Sequence, residues 1–190
     1  MLEHHSPFDL LRNAQTEFVV NGRDVGGVPV SGTGLLLLQC ASELALQEAL
    51  TSEIELPLPG PQQASNARGC ALLWLCPAEW LLELSASAID SVQRAITRRL
   101  ATSLAAVTDM TDAFACYEVS GSRSAETLMC GCSLDLRTHA FPAGRVARTM
   151  LADVPAIIWN PGNPDRFRCL VDRSFAIHLW TWIRESSRSC

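Results

Sequence analysis

The chain has 190 residues, a net charge of −5, and is 48% hydrophobic but only 18% charged. That length forms one large domain, or two small ones fused tightly, without disulfide or metal staples. The acidic balance excludes nucleic acid as a partner, since such binding rests on clustered cationic contacts. The cationic residues are all Arg, so a Schiff-base lysine and a phosphate-loop lysine are excluded as well. The apolar fraction leaves two readings open: a subunit that buries surface against a partner, or a dense core of its own. No stretch is long and apolar enough to span a membrane, and no leader pattern opens the chain, so a cytoplasmic protein with no membrane partner is expected. The eight cysteines sit mostly inside apolar runs, where a thiol behaves as a small hydrophobe, so no disulfides are expected.

In chain order, residues 1–33 show little periodicity and many glycines, and read as an irregular arm buried by a partner. From residue 34 onward one compact α+β domain is expected, in two related halves of about 34–110 and 111–190. The aliphatic run 35–40 is the first strand. Ser42 is the N-cap of a short helix over 43–51, with Leu44, Leu46, Ala49 and Leu50 near helical spacing. A Pro-rich stop and a polar loop over 62–68 follow. Two apolar runs, 71–75 and 80–84, are broken only at Cys76-Pro77-Ala78. They read as adjacent central strands, with Trp74 and Trp80 anchoring the core. Ser87 is expected to cap a helix to about Leu100, with an apolar stripe of Ile89, Val92, Ile96 and Leu100. A strand over 103–108 completes the order βαββαβ, which is the ferredoxin-like pattern.

The second half opens with a turn at residues 109–112 and a strand over 113–120. On that strand Ala115, Tyr117 and Val119 share one face. A helix over 122–130 follows, then an irregular stretch over 132–144. Strands are expected over 145–152, 156–160 and 166–171, the last two joined by the turn-rich Pro161-Gly162-Asn163-Pro164-Asp165. Asp172 or Ser174 caps a final helix to about Glu185, and residues 184–190 read as a fraying tail. The fold class is therefore α+β, with two ferredoxin-like-related units sharing one core.

Chemistry-bearing residues are sparse. Cys130-Gly131-Cys132 is the closest pair of thiols, but no second pair at metal spacing accompanies it, and His4, His5, His139 and His178 are scattered. Asp109 and Asp112 suit a turn better than acid–base work. Arg145 and Arg148, with Arg137, form a local cationic cluster suited to a carboxylate or phosphate; ordinary ion pairs are the plainer alternative. Gly121 precedes a helix whose start suits an anion, but a single glycine is a weak signal. No GxGxxG, GxxxxGK[ST], GxSxG or HExxH motif is present. The expected list of catalytic, cofactor-binding and metal residues is therefore empty.

Several segments, in order, resemble one known family. They are SPFDLL at 6–11, ELPLPGP at 55–61, LLWLCPAEWLL at 72–82, VTD at 107–109, SGSRSAETLMCGCSLDL at 120–136, AFPAGRVART at 140–149 and VDRSFAIHLWTWI at 171–183. Together they are similar to the gamma subunit of heterotetrameric sarcosine oxidase. The resemblance implies a fold like the folate-binding domain of the glycine-cleavage aminomethyltransferase. It implies assembly with alpha, beta and delta subunits, chiefly the large alpha subunit. It also implies that FAD, FMN, NAD, tetrahydrofolate and zinc are held by those subunits, so this chain brings no catalytic residue. The complex would convert sarcosine and oxygen to glycine, formaldehyde or methylene-tetrahydrofolate, and peroxide. Cys76 and Ala78 stand where the family usually has Gly and Asp, which leaves another N-methyl amine open as substrate. The alternatives are a free-standing folate-binding protein or aminomethyltransferase of the same fold, and an unrelated interaction module.

Overall fold

In the computed structural model, which describes residues 18–20 and 24–189, the chain divides into two units. One is Gly32–Thr111; the other runs from Asp112 onward and includes the segment before Gly32. The strands in chain order begin with β1 (Phe18–Val20) and β2 (Val25–Pro29). These lie in the stretch read from sequence as an irregular arm. They are strands because β2 finds a partner far along the chain, which no local pattern announces. The remainder of that arm, and its expected burial, lies outside the described residues.

The Gly32–Thr111 unit contains β3 (Thr33–Cys40), α1 (Glu43–Ile54), β4 (Ala64–Ala67), β5 (Cys70–Cys76), β6 (Glu79–Ser85), α2 (Ile89–Arg99) and β7 (Ala105–Asp109). Its antiparallel sheet has the order β4-β5-β6-β3-β7. Without the outer strand β4 this is the ferredoxin-like order predicted from βαββαβ. β4 is the surprise: its ASNA sequence reads as loop, and it is a strand only by pairing with β5. Ser42 caps α1 as expected, its Oγ accepting the Ala45 N–H at 3.3 Å. Ser87 does not cap α2. A 3-10 turn over Ala86–Ala88 leads in, and the N-cap position is Ala88. Leu36, Leu38, Leu72, Trp80, Leu82 and Leu84 point to one face of the sheet, where Leu46, Leu50, Ile89 and Ile96 from the helices cover them. Gly34 makes that closeness possible, since a Cβ there would lie 2.2 Å from Ile89 Cγ1. Trp80 is fully buried; Trp74, its cross-strand partner, is only half-buried against the same cluster.

The other unit contains β8 (Phe114–Ser120), α3 (Ser124–Met129), β9 (Val146–Leu151), β10 (Val154–Trp159), β11 (Arg166–Asp172) and α4 (Ala176–Ser189). Its antiparallel sheet has the order β1-β2-β8-β11-β10-β9. The hairpin expected across residues 161–165 is formed, with Trp159 opposite Arg168. Ala115, Tyr117 and Val119 share the buried face, as the alternation predicts. Tyr117 stacks on Trp180 with ring centroids 5.3 Å apart and planes 16° from parallel. The expected fraying tail is instead helix to Ser189, and Ser187 is buried there. The helix-covered buried side chains form two clusters, one in each unit, because each helix pair covers its own sheet.

Candidate functional site

His4 and His5 lie outside the described residues; the other chemistry-bearing residues singled out above are engaged in structural contacts. Cys130 is exposed at the end of α3, and its thiol donates to the Glu126 carbonyl at 3.4 Å. Two residues on, Cys132 is buried. Its sulfur accepts the Leu134 N–H at 3.4 Å and lies 3.6 Å from Thr149 Oγ1. The two sulfurs therefore look out on different surroundings, water for one and core for the other. Gly131 between them is a packing glycine: a Cβ there would meet Trp182 Cζ2 at 2.4 Å. Cys169 lies in the same cluster, its thiol pushed up by burial first and by neighbouring Cys132 second. Burial also pushes up the Cys70 thiol. A proton held more tightly than usual makes a poorer nucleophile.

Both aspartates are turn residues. Asp109 Oδ1 accepts the Thr111 N–H at 2.9 Å, and Asp112 pairs with Arg173 at 3.2 Å. Asp172 caps the turn before α4, accepting the N–H and hydroxyl of Ser174 at 2.8 and 2.6 Å, which holds its carboxyl below the ordinary range. Arg137 grips Asp135 with two parallel bonds, Nε to Oδ1 at 2.8 Å and Nη2 to Oδ2 at 2.7 Å. This fork holds the Asp135 carboxyl down at about 2. His139 Nε2 stands 3.4 Å from the same carboxylate, at the surface. His178 donates Nε2–H to the Ala152 carbonyl at 2.8 Å, which leaves it a positioning role on α4. Arg145 and Arg148 are engaged as well.

The helix start after Gly121 is also occupied. The Arg123 N–H goes to the Asp24 carbonyl at 3.0 Å, and the Ser124 N–H to the Gly121 carbonyl at 2.9 Å. Sequence reading missed an ion triad on the second sheet, where Glu118 faces Arg166 and Arg168 at 3.5 Å each. Its signal was there to find: Glu118 and Arg168 are cross-strand partners. It missed Tyr117 too, whose hydroxyl donates to the Ala176 carbonyl at 2.5 Å; burial, then neighbouring Cys116, pushes that phenol up. Among the described residues no three of His, Cys, Asp and Glu converge as a metal site. No helix among them is long and apolar enough to cross a membrane.

Comparison with known proteins supplies what the geometry does not. Residues 39–189 match the model of the sarcosine oxidase, gamma subunit family. The chain is 29% identical over 137 residues to sarcosine oxidase subunit gamma of Corynebacterium sp. (strain U-96), covering 71% of this chain and 64% of that protein. It is 31% identical over 127 residues to the corresponding subunit of Arthrobacter sp., covering 65% and 59%. The matched stretch thus spans 59–64% of the length of these curated relatives. Among solved structures it is similar to a chain of the heterotetrameric sarcosine oxidase of Corynebacterium sp. U-96, in complex with pyrrole 2-carboxylate. There the TM-score is 0.86 at 26% identity, over 97% of this chain and 94% of that one. Aminomethyltransferase T of the Bartonella henselae glycine cleavage system aligns with TM-score 0.62 at 15% identity, over 85% of this chain and 45% of that one. At that identity the likeness is one of fold alone, and it agrees with the two-sheet α+β plan.

Proposed function

The chain belongs to the sarcosine oxidase gamma subunit family, and on that premise we propose that it is the non-catalytic gamma subunit of a heterotetrameric, flavin-dependent sarcosine oxidase. The observation that carries this reading is the alignment with the Corynebacterium heterotetramer over 97% of the chain. In this reading its partners are alpha, beta and delta subunits in the cytoplasm, chiefly the large alpha subunit. FAD, FMN, NAD, tetrahydrofolate and zinc are bound by those subunits. The complex oxidises sarcosine with oxygen, yielding glycine, peroxide, and either formaldehyde or methylene-tetrahydrofolate. What supports a role without chemistry is the engagement of the candidate side chains in local structural bonds. Cys130 and Cys132 face different surroundings rather than one another. The chain then serves as a folded brace, its two sheets presenting surface to larger neighbours.

The test is co-expression of the tagged full chain with the other three subunits from the same source. The expected result is a four-chain complex with sarcosine-dependent peroxide formation, and no such activity from the isolated chain. A chain that purifies alone beside its co-expressed neighbours would sink the reading.

A further inference from the structure

We propose that β1 and β2 form a strap, hinged at Gly32, that releases from β8 as one piece while the rest of the second sheet stays folded. The observation that carries this is an imbalance across β8. On one side β11 pairs with it from Arg166 to Asp172, and Phe167, Cys169, Leu170 and Val171 are all fully buried. On the other side β2 pairs with it only from Gly26 to Pro29. Gly26 and Gly27 bring no side chain, Val28 and Pro29 are half-buried, and Val25 is the one residue of β2 in the helix-covered cluster. Apolar burial is what holds a ladder in water, and each glycine in a strand gives up extra backbone freedom on pairing. The β2 side of β8 therefore rests mainly on backbone hydrogen bonds, whereas the β11 side adds a row of core side chains. Outside β2, β1 contributes only Phe18–Val20 at the edge.

The strap has a pivot. Val30 donates its N–H to the Cys116 carbonyl at 2.9 Å, the last bond to β8, and the Gly32 carbonyl accepts the Ala86 N–H at 3.0 Å. Between these anchors lie the exposed Ser31 and the backbone of Gly32, with φ at +74° and nothing within 4 Å of an added Cβ. Glycine leaves that conformation for others without steric penalty. Release breaks the short β2–β8 ladder and the bond from the Arg123 N–H to the Asp24 carbonyl at 3.0 Å. It also lifts Val25 from its cluster and uncovers the part of α4 that packs on β1 and β2. Tyr117 keeps its stack on Trp180 and its bond to Ala176, and Glu118 keeps Arg166 and Arg168. Segments with little apolar burial are where native proteins open at the lowest free energy. Closed, the sheet ends at β1; released, it ends at β8, whose outward N–H and C=O groups become free. This device does not depend on the subunit role proposed above.

Alternation gives a test inside a single strand. In an antiparallel ladder successive residues turn their backbone N–H and C=O to opposite neighbours. The Cys116 carbonyl faces β2, and the Gly121 N–H faces the other side, at the Asp165 carbonyl. Glu118 and Ser120 therefore bond toward β2, and Ala115, Tyr117 and Val119 toward β11. The experiment is native-state hydrogen exchange of the full chain, read residue by residue by NMR at rising urea below the unfolding transition. The amides of Glu118 and Ser120 are expected to exchange at least about ten-fold faster than those of Ala115, Tyr117 and Val119. The fast pair should depend little on urea, because release exposes little surface, while the slow set follows global unfolding. Gly26, Val28 and Val30 should exchange at the rate of the fast pair, since the strap leaves as one piece. Equal protection of the two sets on β8 overturns the proposal. So does slow, strongly urea-dependent exchange at Val28 beside fast exchange at Ser120, because the strand then frays at one end and does not release.

Discussion

In the Gly32–Thr111 unit, β7 follows α2 and lies beside β3. In the second unit α4 is the last helix, and the equivalent place, beside β8, is taken by β2 from the other end of the chain. Apart from β1, which extends the second sheet beyond β2, the plans otherwise match element for element. β3 corresponds to β8, α1 to α3, the outer strand β4 to β9, and the hairpin β5–β6 to β10–β11. Even the 3-10 turn that leads into α2 recurs before α4. The second unit is thus a circular permutation of the first. Antiparallel sheets accept this because a strand's place depends on its ladder partner, not on its chain neighbour. One consequence is kinetic: the first unit can form from nearby contacts, whereas the second closes only when sequence-distant strands meet.

The largest expected effect tests where the first unit's core lies. Trp80→Ala should cost about 3–5 kcal/mol in urea unfolding, as for other fully buried aromatics. Trp74→Ala, at the half-buried cross-strand partner, should cost clearly less; equal losses would contradict the burial difference between them. The permutation itself is tested by Val25→Asp. Val25 is buried in the second unit's cluster although it precedes the first unit in sequence. A carboxylate there should cost about 3 kcal/mol. Hydrogen exchange should quicken in β8, β10 and β11 but not in β3, β5 and β6. Uniform quickening across both sheets would mean that the units do not behave separately.

Gly131→Ala should cost about 2 kcal/mol, because its methyl would overlap the Trp182 ring. A neutral result would show that the ring moves aside. Tyr117→Phe should cost about 1–2 kcal/mol by leaving the buried Ala176 carbonyl without its donor, and a gain in stability would argue against that bond. The smallest effect compares equivalent turns. β4 and β5 are joined through Arg68 (φ 52°) and Gly69 (φ 79°), β9 and β10 through Ala152 (φ 52°) and Asp153 (φ 65°). Glycine enters that conformation without strain. Gly69→Ala should therefore destabilise by about 1 kcal/mol, while Asp153→Gly should be neutral or raise stability by a few tenths. Opposite signs would show that the two turns are not equivalent.

Most strands of both units were legible in the sequence because they are buried. The run 71–75, and 80–84 apart from the buried Glu83, are apolar on both faces, and a buried strand needs no alternation to be seen. β2 and β4 were not legible. VGGVP and ASNA have little apolar periodicity, and they are strands only because β8 and β5 offer open edges. Asp109 and Asp112 stand at the turn read from the sequence. The anchoring of His178 and the insulation of Cys132 depended on contacts 26 and 17 residues away.

The sequence by itself determined the α+β class, the ferredoxin-like order of the first half and the family, because hydrophobic period, caps and ordered motifs are local. The tertiary structure alone decided that the second sheet is completed from the N-terminal side, that each helix pair covers a cluster of its own, and which apolar side chains remain in water. Those features depend on which edges and faces meet. That is a property of pairing over long separations, and no window of sequence contains both partners.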